Sequence, residues 1–173
     1  MTTEEQNTIF EDWLARHAAV LHHVANGFAD GADRHDLMQE LLLALWRAVP
    51  AFRSGAQPST FIYRVAHNAA LTWKRSEKNY RHLVDRFERQ VTVESSTPTA
   101  VTAREREALE HIYAAIRQLP PLDRSLILLQ LDDVGYAEIA ELHGLTENNV
   151  GVRLNRLKQR LTTILEKTSH ELR

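Results

Sequence analysis

The sequence has no cysteine. That excludes a disulfide framework and a thiolate metal site, and it fits a reducing, cytoplasmic setting. Nor does a basic stretch precede a long apolar run, so neither a signal peptide nor membrane insertion is expected. Only five prolines and six glycines interrupt 173 residues, and the apolar residues recur mostly at helical spacing. The expected fold class is all-α. The marks of an enzyme are missing too. No serine lies in a nucleophile-elbow sequence, no glycine-rich phosphate loop follows a strand, and no metal-spaced His/Glu set occurs. His67, His82, His111 and His143 stand in unrelated contexts. Adjacent His22 and His23 do not face each other on a helix. Neither catalysis, nor a metal, nor a cofactor is expected.

What is present is a segregation of charge that the net value of −2 conceals. Residues 1–50 carry eight acids against three bases, whereas residues 51–86 carry seven bases against two acids. Two readings fit: a local anionic partner, or complementary solvated helix faces.

The first helix is expected to start after Thr2 or Thr3, each followed three residues later by a capping-box partner, Glu5 or Gln6. Ile9, Trp13, Val20 and Val24 make its apolar stripe. After Gly27 to Gly31, Asp33 can cap a second helix with Leu37, Leu41, Leu42, Leu45 and Trp46 on its apolar face. Asp36, Gln39, Glu40, Leu43 and Arg47 make the other face. Pro50 ends this helix, and Ser59 or Thr60 starts a third. Its core stripe is either Phe61, Val65, Ala69 and Trp73, or Ile62, Ala66, Ala70 and Trp73. Arg64, His67, Asn68, Leu71, Arg75 and Lys78 lie near the opposite side, and the periodicity fades after Tyr80. Rings, an amide and cations in one stretch can hold an unstacked base and its backbone; stacking one base is worth about 1–3 kcal/mol.

SSTPTAVTA is small, polar and without an apolar stripe, so a flexible linker is expected over 87–105, between domains at 1–86 and 106–173. The second domain opens with a helix near Arg106 to Gln118, expected to be buried through Leu109, Ile112, Ile116 and Leu119. LDRSLILLQL follows as a short, largely buried helix. Then come a helix over Tyr136 to Leu142, a turn at Gly144, and a helix capped by Thr146 with Val150, Leu154, Leu157 and Leu161 inward. This is a helix-turn-helix pattern. Its second helix offers Glu147, Asn148, Asn149, Val152, Arg153, Arg156, Lys158 and Arg160. Asn addresses adenine, and Arg addresses guanine or phosphate.

DLMQELLLALWRAVPAFRSGAQPSTFIYRVAHNAALTWKR resembles the second conserved region of bacterial sigma factors of the extracytoplasmic-function type. RQLPPLDRSLILLQLDDVGYAEIAELHGLTENNVGVRLNRLKQRL resembles their fourth region. The resemblance implies a non-catalytic subunit that binds core RNA polymerase and promoter DNA. It implies that Asp36, Gln39, Glu40, Leu43, Trp46 and Arg47 dock on the polymerase clamp. It places Tyr63, Arg64, His67, Asn68, Lys74 and Arg75 at the melting −10 element, with Asn68 where the family captures a flipped base. It places Thr146, Asn148, Asn149, Arg153, Arg156 and Lys158 at the −35 element. An anti-sigma factor is a common partner of the family. Two departures stand out: Phe61 where the family often has Trp, and Gly151 where it often has Arg. The alternative is a stand-alone helix-turn-helix regulator whose first domain binds a protein or small ligand. The polar face from Asp36 to Arg47 separates the two, because such a regulator has no need of polymerase there.

Overall fold

The computed structural model describes residues 1–53, 57–84 and 103–171. Among the described residues the regular elements are seven α-helices and a 3-10 turn: α1 (Thr3–Phe28), α2 (Gly31–Ala48), the turn Val49–Ala51, α3 (Pro58–Val84), α4 (Ala103–Arg117), α5 (Pro121–Leu131), α6 (Tyr136–His143) and α7 (Glu147–Glu171). The chain divides into two compact units, Met1–Ser95 and Ser96–Arg173. Most of the expected linker, 87–102, lies outside the described residues.

In the first unit, α1, α2 and α3 pack pairwise. Thr2 caps α1: its Oγ1 accepts from the Glu5 N–H at 3.2 Å while Glu5 accepts from the Thr2 N–H at 2.8 Å. The two contacts satisfy two of the donors that a helix start leaves open. The cap of α2 differs from expectation. Asp30 is the N-cap residue, and Gly31, at φ +49°, lets the chain turn into the helix earlier, which leaves Asp33 inside the first turn.

Leu37, Leu41 and Leu45 of α2 are fully buried, as are Ile62, Ala66 and Ala70 of α3. Of the two stripes open for α3, the second is therefore the core, apart from Trp73, which stays half-buried. Two alanines keep this stripe slim where α3 packs against α1 and α2. The helix also runs to Val84, past the expected fade after Tyr80.

Phe61 belongs to a second cluster. Its ring lies 5.7 Å from Trp13 and 5.3 Å from Phe52, and Trp13 meets Phe52 edge-on at 5.2 Å. Such pairs are worth about 0.5–1.5 kcal/mol each beyond area burial. Phe52 and Phe61 flank the connection between α2 and α3, so the cluster ties both ends of that connection to α1.

In the second unit, α5 is the central helix, buried at every position from Asp123 to Leu129. Arg124 is buried with it, because its guanidinium donates to the carbonyls of Leu119 (2.7 Å) and Arg117 at the end of α4. One side chain thereby satisfies carbonyls that the helix end leaves without intrahelical donors. The helix α4 itself differs from expectation. It starts at Ala103, and Leu109 and Ile112 are exposed, at 45% and 38%. Only its later turns reach the core, through Ala115 and Ile116, followed by Leu119. Periodicity could not reveal how much of the helix has a neighbour.

The helix-turn-helix forms as expected. Gly144, at φ +64°, is the left-handed C-cap of α6. Thr146 Oγ1 then accepts from the Asn149 N–H at 3.2 Å. Val150, Leu154 and Leu157 of α7 face inward.

Candidate nucleic-acid and partner interfaces

A residue advances 100° around an α-helix, so burial of Ile62, Ala66 and Ala70 fixes what α3 shows to solvent. The exposed ridge is Arg64, Asn68, Thr72 and Arg75, spaced i, i+4, i+8, i+11. An amide thus sits between two guanidinium groups along one line. Beside this ridge runs a groove between α3 and α2, lined by Asn68, Thr72, Trp73 and Ser76 on one side and Glu40 and Ala44 on the other. The groove combines a ring, an amide, two hydroxyls and a carboxylate, the groups that bind the face and edge of a base.

The expected −10 residues do not all share that ridge. His67 is 2% exposed and faces the core, so it makes no surface contact. Its place is corrected: it sits only 60° from the burial stripe when Ile62 and Ala70 set that stripe. Tyr63 is half-buried on the same flank. Lys74 is drawn to Glu77, 2.5 Å away, with its ammonium 5.8 Å from the Trp73 ring centre. Arg64 and Arg75 are exposed, one on each side of Asn68 along the helix.

On α2, Asp36, Gln39, Leu43 and Arg47 form one exposed face. Leu43, at 38% exposure, is the apolar point among them. Gln39 also lies 3.1 Å from His35 Nε2. Two expected members sit at its margins. Trp46 donates its ring N–H to Asn7 Oδ1 at 2.9 Å and accepts from Gln6 through its carbonyl at 2.8 Å, which fastens the end of α2 to the start of α1. Glu40 borders the groove towards α3.

On α7 the inward residues place Asn148, Val152, Asn155, Arg156 and Gln159 on the outward face, all exposed. Asn149 and Lys158 are exposed on either flank. Thr146 is a cap first, yet its hydroxyl proton remains free to donate. Arg153 is different. It holds Asp123 of α5 through Nε at 3.0 Å and Nη2 at 2.9 Å, with its side chain 42% exposed. The pair stiffens the mounting of α7 on α5, so Arg153 is a positioning group before it is a DNA contact.

Under α6, Ser125 Oγ and His143 Nε2 are 2.9 Å apart. Burial away from water holds the His143 pKa below its ordinary 6.5. Among the described residues, no group of three or more His, Cys, Asp or Glu could hold a metal ion. No described helix is long and apolar enough to cross a membrane.

Sequence reasoning missed Tyr136, Asn155, the Asp123–Arg153 pair and the groove role of Trp73. Asn155 was within reach, because i, i+4, i+7 from Asn148 gives Val152 and Asn155. The other three depend on which helices meet, which spacing alone does not encode.

Residues 10–80 match the family model for sigma-70 region 2, and residues 109–161 match that for sigma-70 region 4. The ECF RNA polymerase sigma factor SigM of Mycobacterium tuberculosis is 26% identical over 159 residues, covering 90% of this chain and 76% of that protein. Two solved structures share the fold. One is the sigma factor RpoE in complex with the anti-sigma factor NepR from Bartonella quintana, at TM-score 0.66 and 19% identity, covering 91% of this chain and 96% of that one. The other is CnrH in complex with the cytosolic domain of CnrY, at TM-score 0.64 and 21% identity, covering 93% and 90%. Two sigma-70 regions in order, one over the three-helix unit and one over the helix-turn-helix unit, show that this chain belongs to the sigma-70 family, as a sigma factor of the extracytoplasmic-function type.

Proposed function

We propose how the work of a sigma factor is divided over these surfaces. The chain directs core RNA polymerase to promoters and initiates transcription there. It does so as a binding subunit in the cytoplasm, with no catalytic step of its own. The exposed face of α2, Asp36, Gln39, Leu43 and Arg47, docks on polymerase, with Trp46 and Glu40 at its margins. The α3 ridge takes the melted −10 strand: Arg64 and Arg75 on phosphates, and Asn68 on the edge of an unstacked base. Tyr63 and Lys74 flank that strand. On α7, Asn148, Asn149 and Arg156 address the −35 major groove, while Thr146 and Lys158 take its phosphates. Arg153 holds the helix at its angle. The work is divided between a domain at 1–86 and one at 106–173, with 87–105 between them; α4 already begins at Ala103. Both solved neighbours are sigma factors bound to a partner, one of them named as an anti-sigma factor. An anti-sigma factor is accordingly proposed for this chain.

The observation that carries the reading is the α3 ridge, where Asn68 stands exposed between two exposed arginines, Arg64 and Arg75. Duplex DNA hides the faces and the Watson–Crick edges of its bases, so a ridge bordered by a ring-lined groove suits a strand already opened. The test is co-elution with core RNA polymerase at moderate salt, followed by run-off transcription on genomic fragments. Chain-dependent transcripts are expected. Failure to bind core, with tight duplex binding by the isolated chain, would instead support a stand-alone regulator.

A further inference from the structure

The outward face of α7 contains a shallow recess lined by Glu147, Asn148, Gly151, Val152, Asn155 and, from α6, Tyr136. Glycine creates it. A Cβ at position 151 would lie 3.4 Å from Tyr136 Cε2 and 3.6 Å from Cδ2, in van der Waals contact, and any longer side chain would fill the space. The Tyr136 ring, 37% exposed, forms one wall, and Val152, 44% exposed, forms another.

The lining chooses between DNA components. It contains no cation and one carboxylate, so it repels phosphate and turns to base edges. Guanine presents only acceptors in the major groove, N7 and O6, and these are also repelled by Glu147. Thymine presents a C5-methyl group, which matches an apolar hollow between a ring edge and an isopropyl group. Adenine presents an acceptor and a donor side by side, which match the amides of Asn148 and Asn155.

We propose that the recess between Tyr136 and Val152 is a specificity pocket for the methyl group of one thymine in the −35 element, with adenine beside it read by Asn148 or Asn155. This rests on the placement of α7 in the −35 major groove. Gly151 is then a determinant of sequence choice: it gives up a long side chain on the DNA face to admit the methyl group.

The experiment uses holoenzyme, core RNA polymerase with the full chain. Duplexes are recovered from a pool randomised over the −35 element. Each −35 thymine of the recovered sequence is then replaced by deoxyuridine, which removes the methyl group and keeps the pairing. At one position, binding should weaken about three- to fivefold, as expected for one buried methyl group. Gly151→Leu fills the recess and Val152→Ala removes a wall; both should abolish that discrimination. Far-ultraviolet circular dichroism checks the fold of each variant, and Val152→Ala, an exposed position with a good helix former, keeps the test open should Gly151→Leu misfold. Equal binding of thymine and deoxyuridine at every position, with −35 dependence intact, overturns the pocket alone. Discrimination that persists in Val152→Ala does the same. Loss of all −35 dependence overturns the placement of α7, and the pocket with it.

Discussion

The helices α3 and α7 both expose the polar faces proposed to meet nucleic acid, and the two faces are built in opposite ways. The α3 ridge is cationic at both ends and borders a concave groove with Trp73 in its wall. The outward face of α7 is mostly amide and aliphatic around a shallow recess, with the guanidinium of Arg156 exposed beside it. The difference extends to how each is held. Small residues let α3 sink into a three-helix core, and the Trp13–Phe52–Phe61 cluster fixes its start. By contrast α7 is mounted on its neighbours by the Gly144 turn, the Thr146 cap and the Arg153–Asp123 pair. A reader of single strands needs cations for the backbone and a hollow for a base. A reader of duplex needs a protruding helix at a fixed angle, because the groove it enters is already formed.

The sharpest way to break this contrast is Asn68→Ala. Binding of holoenzyme to a premelted −10 strand should fall about tenfold, within the range for losing a base contact, while binding to a −35 duplex is unchanged. Equal losses on both probes would reduce Asn68 to a structural residue. The matching change on α7 is Arg156→Ala. It should weaken −35 duplex binding, and if the lost contact is to phosphate, the slope of log affinity against log salt should become shallower by about 1. Unchanged slope and affinity would remove this face from the DNA.

Smaller effects test the mountings. Gly151→Ala replaces a mid-helix glycine whose neighbour is a ring edge at contact distance. It should raise the stability of the helix-turn-helix unit by up to about 1 kcal/mol in urea denaturation; a loss would mean that the ring cannot accept the methyl group. Arg153→Ala breaks a partly exposed pair, so the cost should be near about 1 kcal/mol. If Arg153 acts by positioning, Asp123→Asn should weaken −35 binding in the same direction although Asp123 lies on α5 and its carboxylate is engaged by Arg153. Stronger binding on removing that negative charge would point to direct contact by Arg153 instead.

The smallest effect is that of pH. The His143 pKa is lower folded than unfolded, so the unfolded chain binds more protons as pH drops below 6.5. The contribution is present above 6.5 and is lost as pH falls through the folded value. Thermal melts from pH 7.5 down to 5.5 should therefore show a steeper loss for the wild type than for His143→Gln; parallel curves would contradict the burial of a neutral imidazole.

The same two helices show what was legible in the sequence. The apolar stripe of α7, its cap and its glycine turn are local features, and all were readable from spacing and residue type. The stripe of α3 was ambiguous because Phe61 and Val65 are as apolar as Ile62 and Ala66. Tertiary packing decided it, and with it the burial of His67. Similarly, Leu109 and Ile112 have the right period for a core yet stay exposed. Arg153 looked like a DNA contact because nothing local announces Asp123, thirty positions earlier in the chain. Period tells which residues share a face, and only the neighbours tell which face is inside.

The most direct test of the account is run-off transcription with core polymerase on one recovered promoter and two derivatives, one with a scrambled −10 element and one with a scrambled −35 element. The account predicts transcripts only when the chain is present. It predicts their loss with the scrambled −10 element, even when Arg156 is intact, and their reduction with the scrambled −35 element. Transcription that does not depend on the chain, or that tolerates both scrambled elements, would contradict it.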